Sequence, residues 1–175
     1  MSPTRYEVAA IALFSALWGV LNSIFAPIVF RMFGLPILCD MIGFAVLTLA
    51  VWRIRKFGVT TVIGVIATVI NFIINPGGVH FLGFTVASIV FDTTAKLIGY
   101  DRCFKKPLSA AVSMLSNSVL SAAVAGIIIG TFFMAAPALA AWGGVLGWAG
   151  LHAVGGVIGG FIGIALVTSL AARGV

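Results

Sequence analysis

The side chains in this sequence that could do chemistry are few. Asn22, Asp40, Asn71, Asn75, His80, Trp148 and His152, with Thr85 beside them, stand in stretches that are otherwise apolar. Amides and imidazoles donate and accept hydrogen bonds, an indole donates one and offers a flat face, and a carboxylate supplies charge. Such a set suits the grip of a small molecule rather than bond-making. No HExxH, GxSxG or paired-aspartate arrangement occurs, and neither histidine has a nucleophile at a set spacing, so no catalytic residue is assigned and the chain is not read as an enzyme. There is no GxxxxGK[ST] run, hence no phosphate-cradling loop, and any ATP hydrolysis must come from another subunit. His80 and His152, with Cys39 and Asp40, are metal-ligand types without metal-ligand spacing, so neither a metal nor another cofactor is assigned.

These side chains need elements to position them, and composition says which. Of the 175 residues 62% are hydrophobic and 8% charged, where a soluble domain has about a quarter charged. Apolar stretches of about 20 residues cross a hydrocarbon core about 30 Å thick, and such stretches fill nearly the whole chain. The predicted spans are residues 8–30, 36–52, 59–74, 80–98, 108–134 and 146–172, forming one transmembrane domain over residues 1–175. Their borders follow from local chemistry: Pro36 suits a first helical turn, the run Arg53, Arg55, Lys56 ends a span, and Asn75-Pro76-Gly77-Gly78 is a chain of breakers. The expected fold is all-α, a polytopic bundle of six transmembrane helices in the cell membrane. The N-terminal segment lacks the short apolar core and cleavage site of a signal peptide and is read as retained.

Charge orients the bundle. With both termini cytoplasmic, Arg5, Arg53, Arg55, Lys56, Lys96, Arg102, Lys105, Lys106 and Arg173 lie inside and only Arg31 outside, as the positive-inside rule requires. The net charge of +6 therefore reports topology. No basic stripe with interleaved aromatics exists, so nucleic acid is not an expected partner. Cys39 and Cys103 fall on opposite sides and form no disulfide. In this orientation Asn22, Asp40, Asn71, Asn75, His80, Thr85, Trp148 and His152 all lie in the extracellular half, drawn from five of the six spans, which is how a small-molecule pocket is built in an apolar bundle. The same residue types also serve as interhelical glue and aromatic-belt anchors. Asp40 fits two roles, a structural partner for the helix dipole or Arg31, and a counter-charge for a cationic ligand. Asp92 and Lys96, four apart on one face, are expected to pair.

Small residues carry the packing signal. Gly155, Gly156, Gly159, Gly160 and Gly163 make overlapping GxxxG patterns that suit close internal packing, and Ala12 and Ala16 make a small-residue strip in the cytoplasmic half of the first span. The stretch Ala12-Leu13-Phe14-Ser15-Ala16-Leu17-Trp18-Gly19-Val20-Leu21-Asn22, the segment Phe33-Gly34-Leu35-Pro36-Ile37-Leu38-Cys39-Asp40, and the six-span length together resemble an S component of an energy-coupling factor transporter. That resemblance implies a vitamin, vitamin precursor or metal ion bound near the extracellular side, under a loop covering residues 26–35. It implies partners as well: a membrane coupling (T) protein, contacted through Ala12 and Ala16, and two cytoplasmic ATPase subunits. Metal-specific members carry a histidine near the N-terminus, which this chain lacks. The expected function is thus capture of a small water-soluble micronutrient. Aromatic stacking with an Asp40 counter-charge would suit a cationic heterocycle such as thiamine or its pyrimidine precursor. The alternative is a self-sufficient small secondary transporter or channel acting as a homo-oligomer.

Overall fold

The computed structural model of the protein describes residues 4–174, and among them it contains helices and connectors but no strand. The first helix, α1 (Arg5–Phe33), starts where the sequence offers a reciprocal cap. Glu7 N–H donates to Thr4 Oγ1 at 3.2 Å and Thr4 N–H to Glu7 Oε2 at 2.9 Å, so two orphan donors are satisfied at once. It ends at Gly34, which takes the left-handed conformation (φ 68°) and donates to the Phe30 carbonyl. The expected covering loop over residues 26–35 is therefore mostly helix. Pro27 lies inside α1 and denies a partner to the Ser23 carbonyl, but packed neighbours in a helical bundle tolerate such a proline, and the αL glycine seven residues on is the real stop.

The remaining long helices are α2 (Ile37–Ile54), α3 (Val59–Ile74), α4 (Phe81–Ile98), α6 (Pro107–Phe132) and α8 (Gly144–Ala172). Two short ones, α5 (Tyr100–Cys103) and α7 (Ala136–Ala140), occupy the connectors between the predicted spans. Five helices (α1, α2, α4, α6 and α8) are long and apolar enough to cross a membrane. The chain is a polytopic, multi-pass membrane helical bundle. The sixth apolar helix, α3, has 16 residues, about 24 Å at 1.5 Å per residue.

In space the long helices form a closed ring in the order α1, α3, α4, α6, α8, α2, with α2 the most buried of the five spans and touching α3, α4 and α6 as well. The glycines of α8 make this possible by facing two ways. A Cβ on Gly159 would sit 2.7 Å from the Asp40 carbonyl and one on Gly163 2.6 Å from Thr48 Cβ, both on α2. A Cβ on Gly156 would meet the Ser118 carbonyl at 2.7 Å, on α6. Internal helix packing is thus what the overlapping GxxxG patterns serve. Aromatic contacts fill the centre: Trp18 of α1 stands 5.6 Å from Phe81 and 6.4 Å from Phe84, and Phe44 of α2 stands 6.0 Å from Phe91.

One end of the ring collects the basic residues. There Lys56 pairs with Glu7 at 2.6 Å, Arg55 with Asp101 at 3.2 Å, and Arg53 with the Tyr6 hydroxyl. Asp92 does not pair with Lys96, whose ammonium lies over the Phe57 ring at 4.1 Å. Instead Asp92 Oδ2 accepts from Gly58 N (2.8 Å), Thr61 N (3.1 Å) and Thr61 Oγ1 (2.9 Å), so α4 caps the N-terminus of α3. The reason is competition. Unsatisfied N–H groups at a helix N-terminus present several donors and the positive end of a dipole to one carboxylate, while Lys96 points outward to an exposed position. Tyr100 completes the set at 3.5 Å from Asp92 Oδ1; burial, and next the Asp92 charge, push its hydroxyl up to about 12, so it stays a donor.

Candidate functional site

At the other end of the ring, where α1, α3 and α6 finish and α2, α4 and α8 begin, the helices enclose a cavity of about 180 Å³. Its walls are built from residues four apart, which stack on one helix face. Asn22, Ala26 and Phe30 come from α1, Trp148 and His152 from α8, and Ile129 and Phe133 from the end of α6. Asn71 and Asn75 follow the same spacing at the end of α3, and His80 and Phe84 at the start of α4. Pro36 and Cys39 at the start of α2 also line it, with Arg31 at the wall as its cation. Asn22, Asn71, Asn75, His80, Trp148 and His152, expected from the sequence to share one layer, thus all line one space.

They do not all have the same work. Asn71 is fully engaged: Ser23 Oγ donates to its Oδ1 at 2.9 Å and its Nδ2 donates to the Gly78 carbonyl at 3.3 Å, which ties α1 to α3 and fixes the 75–78 turn. Asn75 caps α3 and also holds that turn, its N–H on the Asn71 carbonyl (2.7 Å) and its own carbonyl accepting from Gly78 N (2.9 Å). His80 precedes the first turn of α4 and is half-buried. Thr85 is not at the wall; its hydroxyl bonds to Thr68 Oγ1 at 2.5 Å and holds α3 against α4.

The α8 residues are different. Trp148 is 2% exposed and His152 1%. Their rings meet edge to face at 5.6 Å, and Phe30 stands edge-on to Trp148 at 6.2 Å. Phe84 adds a tilted face to His152 at 5.6 Å. Neither Trp148 Nε1 nor His152 Nε2 has a hydrogen-bond partner among the described residues, and neither has Asn22 Oδ1. A buried polar atom without a partner costs about 1–3 kcal/mol, so the three gathered at this cavity leave hydrogen-bonding capacity that a bound molecule or water can take up.

Asp40 takes a position the sequence did not foretell. It is wholly buried and is not at the cavity wall. Its carboxylate lies behind the imidazole, with His152 Nδ1 at 2.9 Å from Oδ2 and 3.1 Å from Oδ1. Of the two roles open to Asp40, a structural partner is the one its position serves, and the partner is His152 rather than Arg31. A carboxylate so placed fixes the ring's orientation, as it does for histidines that bind ligands through the opposite nitrogen. No cluster of three or more His, Cys, Asp or Glu side chains suited to a metal ion occurs among the described residues.

Sequence reasoning missed Phe30, Phe84, Phe133 and Met134. The first two were findable: Phe84 is four residues after His80, and Phe30 is eight after Asn22. Phe133 and Met134 lie just past the end of α6, the one long helix from which the sequence drew no residue into the layer, so nothing marked them. Cys39 and Cys103 are both free and buried. No protein-family model matches the chain, and no curated protein or solved structure does either.

Proposed function

We propose that the chain is the substrate-capturing membrane subunit of an ATP-driven importer of the energy-coupling factor kind, taking up a small water-soluble vitamin or vitamin precursor. On this reading α1, α2, α3, α4, α6 and α8 all cross the bilayer, giving six spans with both termini cytoplasmic. The orientation is supported by the basic end of the ring, where Arg53, Arg55 and Lys56 lie, and by the single Arg31 at the cavity end. The cavity then opens toward the outside, where a scarce nutrient is met. A membrane coupling protein and two cytoplasmic ATPase subunits supply the energy, since the chain has no phosphate-cradling loop.

The observation that carries the reading is the cavity itself. An aromatic-walled space at which three of the buried unpartnered polar atoms gather suits the binding of a small molecule. Ala12 and Ala16 are exposed on the outer face of α1, where a second membrane protein can approach closely. The test is uptake in proteoliposomes by the chain reconstituted with its coupling and ATPase subunits, using ligand identified by mass spectrometry of the purified protein. ATP-dependent uptake is expected, lost in Ala12→Leu/Ala16→Leu while ligand binding persists. Ion-gradient-driven uptake by the chain alone, or loss of binding in that variant, refutes the reading.

A further inference from the structure

The three unpartnered atoms also say what the cavity asks of its occupant. Trp148 Nε1 can only donate. For His152 the geometry selects the edge: Nδ1 is on Asp40, Cδ2 packs beside Gly126 of α6, and the Nε2 edge is left for the cavity. No Asp or Glu side chain lines the cavity, and the charged side chain at its wall is the cation Arg31. Asp40, the anion that would welcome a positive ligand, is behind the imidazole, with His152 Nδ1 at 2.9 Å. The volume of about 180 Å³ compares with the roughly 150 Å³ that accommodates a benzene ring.

We infer that the cavity selects a planar molecule of about one ring whose polar edge accepts hydrogen bonds and which carries no positive charge, a heteroaromatic carboxamide or carboxylate. This rests on the capture reading above and replaces a cationic heterocycle as the expected cargo class. The ring lies among Phe30, Phe84 and Trp148, and its acceptor edge meets Trp148 Nε1.

The experiment is calorimetric titration, at neutral pH in lipid nanodiscs, of three probes of one shape: pyridine-3-carboxamide, pyridine-3-carboxylate and the cation of 3-(aminomethyl)pyridine. At least one acceptor-edged probe is expected to bind roughly tenfold or more tightly than the cation, the size of effect that one unmet buried donor produces. Trp148→Phe, which keeps the aromatic face and removes the N–H, is expected to weaken that probe by a similar factor. Tighter binding of the cation, binding of none of the probes, or indifference to Trp148→Phe overturns the inference. Any of these together with ATP-driven uptake of another ligand leaves the capture reading intact, whereas acceptor-selective binding without ATP-driven uptake overturns the capture reading alone.

Discussion

Asp92 offers a sharp test, because its spacing and its structure assign it different partners. Its Oδ2 receives the N–H groups of Gly58 and Thr61 and the Thr61 hydroxyl, all within 3.1 Å. Asp92→Ala leaves two backbone donors at the start of α3 with no acceptor. Each orphan donor costs about 1–3 kcal/mol when buried, and Gly58 and Thr61 are only half-buried, so a loss of about 2–4 kcal/mol is expected. Asp92→Asn keeps one acceptor oxygen and should lose about half of that. Lys96→Met removes only an exposed contact with the Phe57 ring and should cost less than about 1 kcal/mol. The measurement is reversible unfolding in mixed micelles on raising the SDS fraction, followed by tryptophan fluorescence. The decisive quantity is the coupling in the double mutant, expected near zero. If Lys96→Met destabilises as much as Asp92→Ala, or the two couple by more than about 1 kcal/mol, the carboxylate is an ion-pair partner and the capping argument fails.

The same unfolding assay checks three further expectations. Gly155→Ala would place a Cβ 2.6 Å from Asp40 Cβ and 2.8 Å from Oδ2, so α2 and α8 must part, at a cost of about 1–3 kcal/mol. Gly150→Ala, with nothing within 4 Å of the added carbon, should be neutral or stabilise by up to about 1 kcal/mol; equal effects at the two sites would refute the packing argument. His152→Ala leaves Asp40 buried without its partner and should cost about 3–5 kcal/mol, with much of that recovered in the Asp40→Leu/His152→Ala double variant. Asn71→Leu breaks both the Ser23 and Gly78 bonds and should cost about 2 kcal/mol or more; a neutral result would show that these bonds are replaceable by water.

Much of the fold was legible because membrane helices are written in long apolar runs with polar punctuation. The predicted third span, residues 59–74, coincides with α3, since Gly58 and Asn75-Pro76 mark both borders. The fourth and sixth spans were placed within two residues of α4 and α8 at either end. Short α5 and α7 escaped because runs of four and five residues in polar or alanine-rich connectors have no periodicity to read. The layer drawn from charge and spacing includes six residues that line the cavity and two, Asp40 and Thr85, that do not, and the i, i+4 spacing of the six accounts for much of the wall. What stayed hidden was pairing across helices. Nothing local says that Asp92 serves a helix 31 to 34 residues away, or that Asp40 reaches His152 across a separation of 112 residues.

The glycines of α8 and the residues Asp40 and His152 looked like separate features in the sequence, some for packing and some for chemistry. In the structure they are one device. Asp40 reaches Nδ1 because its own side chain occupies the notch where Gly155 has no Cβ, and Gly159, one turn on, lets the Asp40 backbone come equally close. On the neighbouring face, Gly126 of α6 receives Cβ and Cδ2 of the same imidazole. His152 is thus gripped by missing side chains on one edge and by a carboxylate on another, which leaves a single free nitrogen. Small residues permit helices to approach, and here the approach delivers a polar pair into the interior with its outer nitrogen unpartnered. The density of glycine along α8 is therefore as much a requirement of the cavity as of the bundle.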